Sequence, residues 1–136
     1  MFSKILLAVD GSAHSARAAE KAGELAQLAG SQVLVFHVRE MLPARGVYDM
    51  DATEGDVDIA ADIADELKAK GVEVSSHRER EFYGYTPRII VEAAKQFGAD
   101  VIVMGTRGRS DLPGLLLGSV THKVLHLSEV PVLVIR

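Results

Sequence analysis

Cysteine is absent from the 136 residues, which excludes disulfides and thiolate metal sites and makes a cytoplasmic location the expectation. No apolar run approaches the ~18 residues that a membrane-spanning helix needs, so no membrane partner is expected. The N-terminal MFSKILLAVDGS has neither the long apolar core nor the small-residue cleavage site of a secretory signal. Basic tracts are missing as well. The net charge is −4 with no concentration of Lys and Arg, which argues against nucleic acid but not against a small anion held by local backbone dipoles. Catalytic signatures are equally sparse. There is no G-x-S-x-G elbow, no G-x-x-x-x-G-K-[ST] phosphate loop, and no Ser/His/Asp trio that declares itself, so no catalytic residue is assigned. What remains is ordinary for one globular domain spanning 1–136, with 48% hydrophobic and 25% charged residues.

Taken in order, the chain alternates short apolar runs with helical patterns. Residues 4–9 (KILLAV) read as a central strand buried on both faces. The turn cluster Asp10-Gly11-Ser12 follows, and Ser12 or Ser15 is placed to cap an Ala-rich helix that Gly30 stops. Residues 32–38 (QVLVFHV) form a second strand. Residues 39–55 hold Pro43, Gly46 and Gly55 without sustained periodicity, and are expected to be a mobile loop. A helix over 56–70 carries Asp56 and Asp58 at its start and Lys68 and Lys70 at its end, matching the helix dipole. Alternation over 72–80 predicts a strand near a sheet edge. Thr86-Pro87 then starts a helix, with Thr86 as N-cap and Pro87 at its first position, and Gly98 ends it. A strand over 101–104, a helix over 118–127 and a strand over 130–135 complete a β-α-β-α-β-α-β-α-β order. Short connections in that order argue for one parallel sheet covered by helices on both faces.

The most informative stretch is DVIVMGTRGRSDLPGLLLGSV, residues 100–120. A β-branched apolar run stops at Gly105, Gly108 follows, and after nine intervening residues Gly118-Ser119 opens a helix. The glycines allow tight turning and close approach, and the helix start offers free N–H groups and a positive dipole end. Such an arrangement suits a phosphorylated ligand, although glycines also shape ordinary strand-to-helix connections. A methyl group at Gly105 or Gly108 is expected to fill ligand space and to harm binding more than folding. Arg107 and Arg109 flank the second glycine, placed either for phosphate or for solvent. His122 and His126, at i and i+4, lack a third ligand and read as exposed helix residues, so no metal site is assigned. Tyr83 and Tyr85 serve as lid, interface or plain loop packing.

The pattern G-x-x-G, nine residues, then G-[S/T] resembles the ATP-binding signature of the universal stress protein family. Gly105-Thr106-Arg107-Gly108 and Gly118-Ser119 match it in full. KILLAVDGS and VPVLVIR resemble that family's first and last strands, so the likeness covers essentially the whole chain. The resemblance implies an open, Rossmann-like five-stranded parallel sheet of order 3-2-1-4-5, with its crevice between the first and fourth strands. It further implies ATP as the bound nucleotide, with Mg²⁺ an option beside the phosphates, and a homodimer joined through the C-terminal strand. By the same likeness, Ala8 and Val9 form the adenine wall, and Val38 presents backbone groups to the adenine edge. Asp10, which by itself reads rather as a cap of the turn into the first helix, meets the nucleoside by this likeness, as does Met104. The phosphates meet Gly105, Gly108, Gly118, Ser119 and Val120. The expected role is a nucleotide-dependent stress-response module rather than an enzyme. The alternatives are a weak ATPase or self-phosphorylating protein, or a binder of AMP or a cyclic adenine nucleotide.

Overall fold

The computed structural model describes residues 1–44, 46–49, 57–108, 113–114 and 116–136, with 43–44 and 46–49 as backbone. The elements in chain order are β1 (Lys4–Val9), α1 (Ala13–Ala29), β2 (Gln32–Ala44), β3 (Gly46–Asp49) and α2 (Ile59–Ala69). They continue with β4 (Glu73–Phe82), α3 (Thr86–Phe97), β5 (Val101–Gly105), α4 (Ser119–Leu127) and β6 (Val132–Ile135).

β1 is apolar throughout because it is covered twice. Ile5, Leu7 and Val9 pack with Ala18 and Ala22 of α1 and Leu67 of α2. Leu6 and Ala8, pointing the other way, pack with Ile90 and Ala94 of α3 and Val124 of α4. The period-2 alternation of a strand thus feeds two cores, one on each face of the sheet. The alanines of α1 let it lie close. Gly23 adds to this closeness, since a methyl group on it would sit 2.7 Å from Leu67 Cδ2 and the leucine tip would have to shift. Ser12 caps α1 by accepting the Ser15 N–H at 3.2 Å, and Gly30 ends it in the left-handed conformation.

β1 pairs in parallel with β2 on one side, from Lys4↔Gln32 to Val9↔His37, and with β5 on the other, from Ile5↔Val101 to Leu7↔Val103. β4 lies parallel to β2 and β6 parallel to β5. The five parallel strands are therefore ordered β4-β2-β1-β5-β6, which is 3-2-1-4-5 in chain order, with helices on both faces. The strand order reverses at β1, and the crevice opens beyond its carboxyl end.

Three local expectations are corrected. The stretch 39–55 is not a plain loop: β2 runs on to Ala44 and β3 folds back antiparallel on it, from Met41↔Asp49 to Ala44↔Gly46. The physical reason is the long ladder with β4, which pairs residue by residue as far as Met41↔Phe82 and carries β2 well beyond Val38, while Pro43 and Gly46 fall at the end of β2 and the start of β3. Met41 pairs with β4 on one edge and β3 on the other, so β3 lies on the edge of β2 that β1 has vacated. The rest of that expected loop, 45 and 50–55, lies outside the described residues. Second, Thr86 is the first helical residue of α3 rather than its N-cap, and its hydroxyl is used elsewhere. Third, α2 begins at Ile59 rather than at 56, because the Asp58 carboxylate accepts the Ala61 N–H at 3.0 Å and so defines the start.

Candidate nucleotide-binding site

β1 ends at Val9, just before Asp10, and β5 ends at Gly105, side by side at the reversal point of the sheet. Asp10 Oδ1 accepts the Ser12 N–H at 2.9 Å, a local bond of the kind that tightens a turn. Its other oxygen, Oδ2, faces Gly108, where a Cβ would come within 2.6 Å of it. The two readings of Asp10 are therefore compatible: Oδ1 holds the turn while Oδ2 is turned across the crevice.

The glycine stretch after β5 is braced by backbone bonds. Thr106 N–H donates to Ile135 O of β6 at 2.8 Å, and Gly118 N–H donates to Thr106 O at 2.7 Å. The Thr121 hydroxyl donates to Gly105 O at 2.8 Å, a buried bond tying the first turn of α4 to the end of β5. Gly118 caps α4 without any side-chain bond. The first-turn N–H groups of Ser119, Val120 and Thr121 have no intrahelical acceptor by the geometry of a helix start. Together with the positive end of the helix they make an anion-favouring corner. Gly118 differs from the expectation. Its own N–H is committed to Thr106, so it contributes closeness rather than a donor.

Gly105 also differs. A Cβ there would lie 2.8 Å from the backbone carbon and from Cβ of His14 in α1, so glycine is demanded by the packing of α1 on β5. The expectation that a side chain at 105 would harm ligand binding more than the fold is corrected for that residue. At Gly118 the neighbours are the backbone of Arg107 and Gly108, at 3.3 and 3.4 Å, a close crossing of the two arms of the glycine stretch.

One cavity of about 370 Å³ occupies this crevice. Ala8, Val9, Asp10, Val38, Met104, Gly105, Gly108, Gly118, Ser119 and Val120 all line it. At one side stand the glycines and the start of α4. The middle is apolar, formed by Ala8, Phe36, Val38, Ile90 and Met104. At the other side stand Glu40, Tyr83 and Thr86, where the Thr86 hydroxyl donates to Glu40 Oε1 at 2.7 Å. Sequence reasoning did not assign Phe36, Glu40, Thr86, Ile90, Ser15 or Thr121 to the site. Strand alternation was the available signal for two of them, since Phe36, Val38 and Glu40 share one face of β2. Arg107 and Tyr83 also line the cavity, whereas Arg109 lies outside the described residues. His122 and His126 are exposed, and among the described residues no group of three or more His, Cys, Asp or Glu is placed to hold a metal. No described helix is long and apolar enough to cross a membrane.

Comparison with known proteins gives a consistent result. The family model described as "Universal stress protein family" matches residues 1–136. A universal stress protein of Bacillus subtilis, YxiE, is 32% identical, with all of both chains covered. Among solved structures, a universal stress protein from Archaeoglobus fulgidus superposes with a TM-score of 0.74 at 29% identity, again over 100% of both chains. A further universal stress protein, solved in complex with cAMP, gives a TM-score of 0.71 at 25% identity over 98% of this chain and 97% of its own.

Proposed function

The chain belongs to the universal stress protein family, and from that premise we propose that it is a cytoplasmic nucleotide-binding module that holds ATP. The observation that carries the reading is that one cavity is lined by all ten residues named from the sequence, amide-lined at one end and apolar in the middle. A nucleotide has the same division: charged phosphates at one end and a flat, largely apolar base at the other. The cavity volume lies within the usual range for small-molecule sites.

In this reading the phosphates rest against the backbone of Gly105, Gly108 and the first turn of α4, with the Ser119 hydroxyl beside them. Arg107 supplies positive charge at the cavity wall. Asp10 Oδ2 accepts from a sugar hydroxyl or helps hold Mg²⁺. The base lies on Ala8, Val38 and Met104. Two copies associate through β6, and binding rather than turnover is the activity. The relative solved with cAMP favours one second reading, in which a nucleotide with a shorter phosphate end occupies the same base site.

The test is to denature the purified protein, identify any released nucleotide by chromatography and mass spectrometry, and titrate emptied protein with ATP, AMP and cAMP by calorimetry. About one ATP per chain, or tightest binding of ATP on titration, is the expected result. Preference for AMP or cAMP selects the second reading. A protein that releases nothing and binds none of the three refutes both.

A further inference from the structure

We propose that Glu40 selects the nucleobase, by accepting a hydrogen bond from the exocyclic amino group of an adenine-type ring. The inference rests on the nucleotide reading above and adds to it a residue that reads the base. Three placements support it. First, β1 pairs with β2 only as far as Val9↔His37, so Val38 and Glu40 project past the end of β1 into the crevice on the same strand face as Phe36. Second, β2 and β5 are separated in the sheet by β1, which puts the end of β2 roughly 10 Å from the end of β5 at the usual strand spacing. Glu40 is thus remote from the glycines and lies where the far end of a ligand held by them would come. Third, the Glu40 carboxylate is oriented: the hydroxyl of Thr86, a buried residue, donates to its Oε1 at 2.7 Å.

That third placement explains an anomaly of α3. A threonine that the sequence places to cap the helix instead turns its hydroxyl onto a carboxylate from another strand. A carboxylate is an acceptor only. Half-buried in a cavity that Phe36 and Ile90 also line, it attracts a ring amino group and repels a ring carbonyl at the same place. A site that offers a fixed polar partner discriminates far more strongly against a ligand that cannot use it than an apolar wall does.

The experiment compares ATP with inosine triphosphate, in which the 6-amino group becomes a carbonyl, and with 2′-deoxy-ATP. Each is titrated by calorimetry into the wild-type protein, Glu40→Gln, Thr86→Ser and Thr86→Val, with thermal melting as the check on folding. The wild type is expected to favour ATP over inosine triphosphate by about 10- to 100-fold. Glu40→Gln, nearly identical in shape, brings that ratio to within about threefold, because an amide can present a donor to the carbonyl. Thr86→Ser keeps the ratio and Thr86→Val lowers it. The proposal is overturned if ATP binds and the ratio is unchanged in Glu40→Gln. It is also overturned if Glu40→Gln alters only the discrimination against 2′-deoxy-ATP, which would put the carboxylate on the sugar. A wild-type protein that binds no nucleotide removes the nucleotide reading itself, a result distinct from either of these.

Discussion

Gly105 and Gly108 stand three residues apart, yet a methyl group on each meets a different obstacle. At 105 it runs into the main chain of α1, at 2.8 Å from the His14 carbonyl carbon, and a helix backbone cannot step aside without disturbing the packing of α1 on β1 and β5. At 108 it meets only the tip of the Asp10 side chain, at 2.6 Å, which can rotate. Gly105→Ala is therefore expected to destabilise the fold by about 1–3 kcal/mol, read as a lowered midpoint in urea or heat. Gly108→Ala leaves the midpoint within about 0.5 kcal/mol of wild type, the range of a neutral change. It weakens nucleotide binding by roughly tenfold, equivalent to about 1.4 kcal/mol, because Asp10 Oδ2 is pushed from its place. A Gly108→Ala protein that melts early and binds normally would reverse this assignment. Both glycines are visible in the sequence as members of one motif. Their division of labour is not, because the obstacle at 105 comes from His14, which only the docking of α1 brings near.

Among the elements, α4 owes its position to two bonds made before its own ladder begins: Gly118 N–H to Thr106 O, and the Thr121 hydroxyl to Gly105 O. Thr121→Val keeps the shape of the side chain and removes the second bond. It is expected to cost about 1–3 kcal/mol, the range for depriving a buried polar group of its partner, and to weaken phosphate binding by loosening the helix start. Thermal melting and ATP titration of the same variant measure the two effects, and an unchanged melting curve would show the bond to be dispensable. The position of α4 is legible in the sequence only in outline. Gly118-Ser119 marks a helix start, but nothing in the sequence says that Gly118 spends its N–H on Thr106. The β2–β3 hairpin is illegible for a related reason. Pro43 and Gly46 are turn residues by local chemistry and do fall at the end of β2 and the start of β3, but the β4 ladder that carries β2 beyond Val38 comes from a segment some forty residues away, as the pairing Met41↔Phe82 shows. Strands whose partners are implied by composition, such as the doubly covered KILLAV, are legible for the converse reason.

For the whole molecule, β6 is the last strand of the sheet on its side, and among the described residues it pairs with β5 alone. The Ile102 N–H donates to Pro131 O and the Thr106 N–H to Ile135 O, so the peptide groups of 131, 133 and 135 point inward along the ladder. Those of Val132 and Val134 point to the open edge. Leu133 is 41% exposed on the sheet face. An open edge of this kind invites pairing with another chain. If two copies join through it, Val134→Pro removes an outward N–H while sparing the bonds to β5. Light scattering coupled to size-exclusion chromatography is expected to show a wild-type dimer and a Val134→Pro monomer. A dimer that survives the proline would place the interface elsewhere.

The pairing of β1 with β5 joins Ile5 to Val101, and the Asp100 carboxylate fastens the N–H groups of Ser3 and Lys4 at 2.9 and 3.2 Å. Contacts so far apart along the chain must pay their loop-closure entropy before they are rewarded. The crevice between Asp10 and Gly108 does not exist until they are made. A nascent or half-folded chain accordingly has nothing with which to hold a ligand, and a nucleotide cannot guide the early steps of folding. Its effect falls on the finished protein: at a free concentration a hundred times its Kd it would add about 2.7 kcal/mol to stability. If the contacts it reinforces form only after the folding barrier, that gain is expressed mainly as slower unfolding.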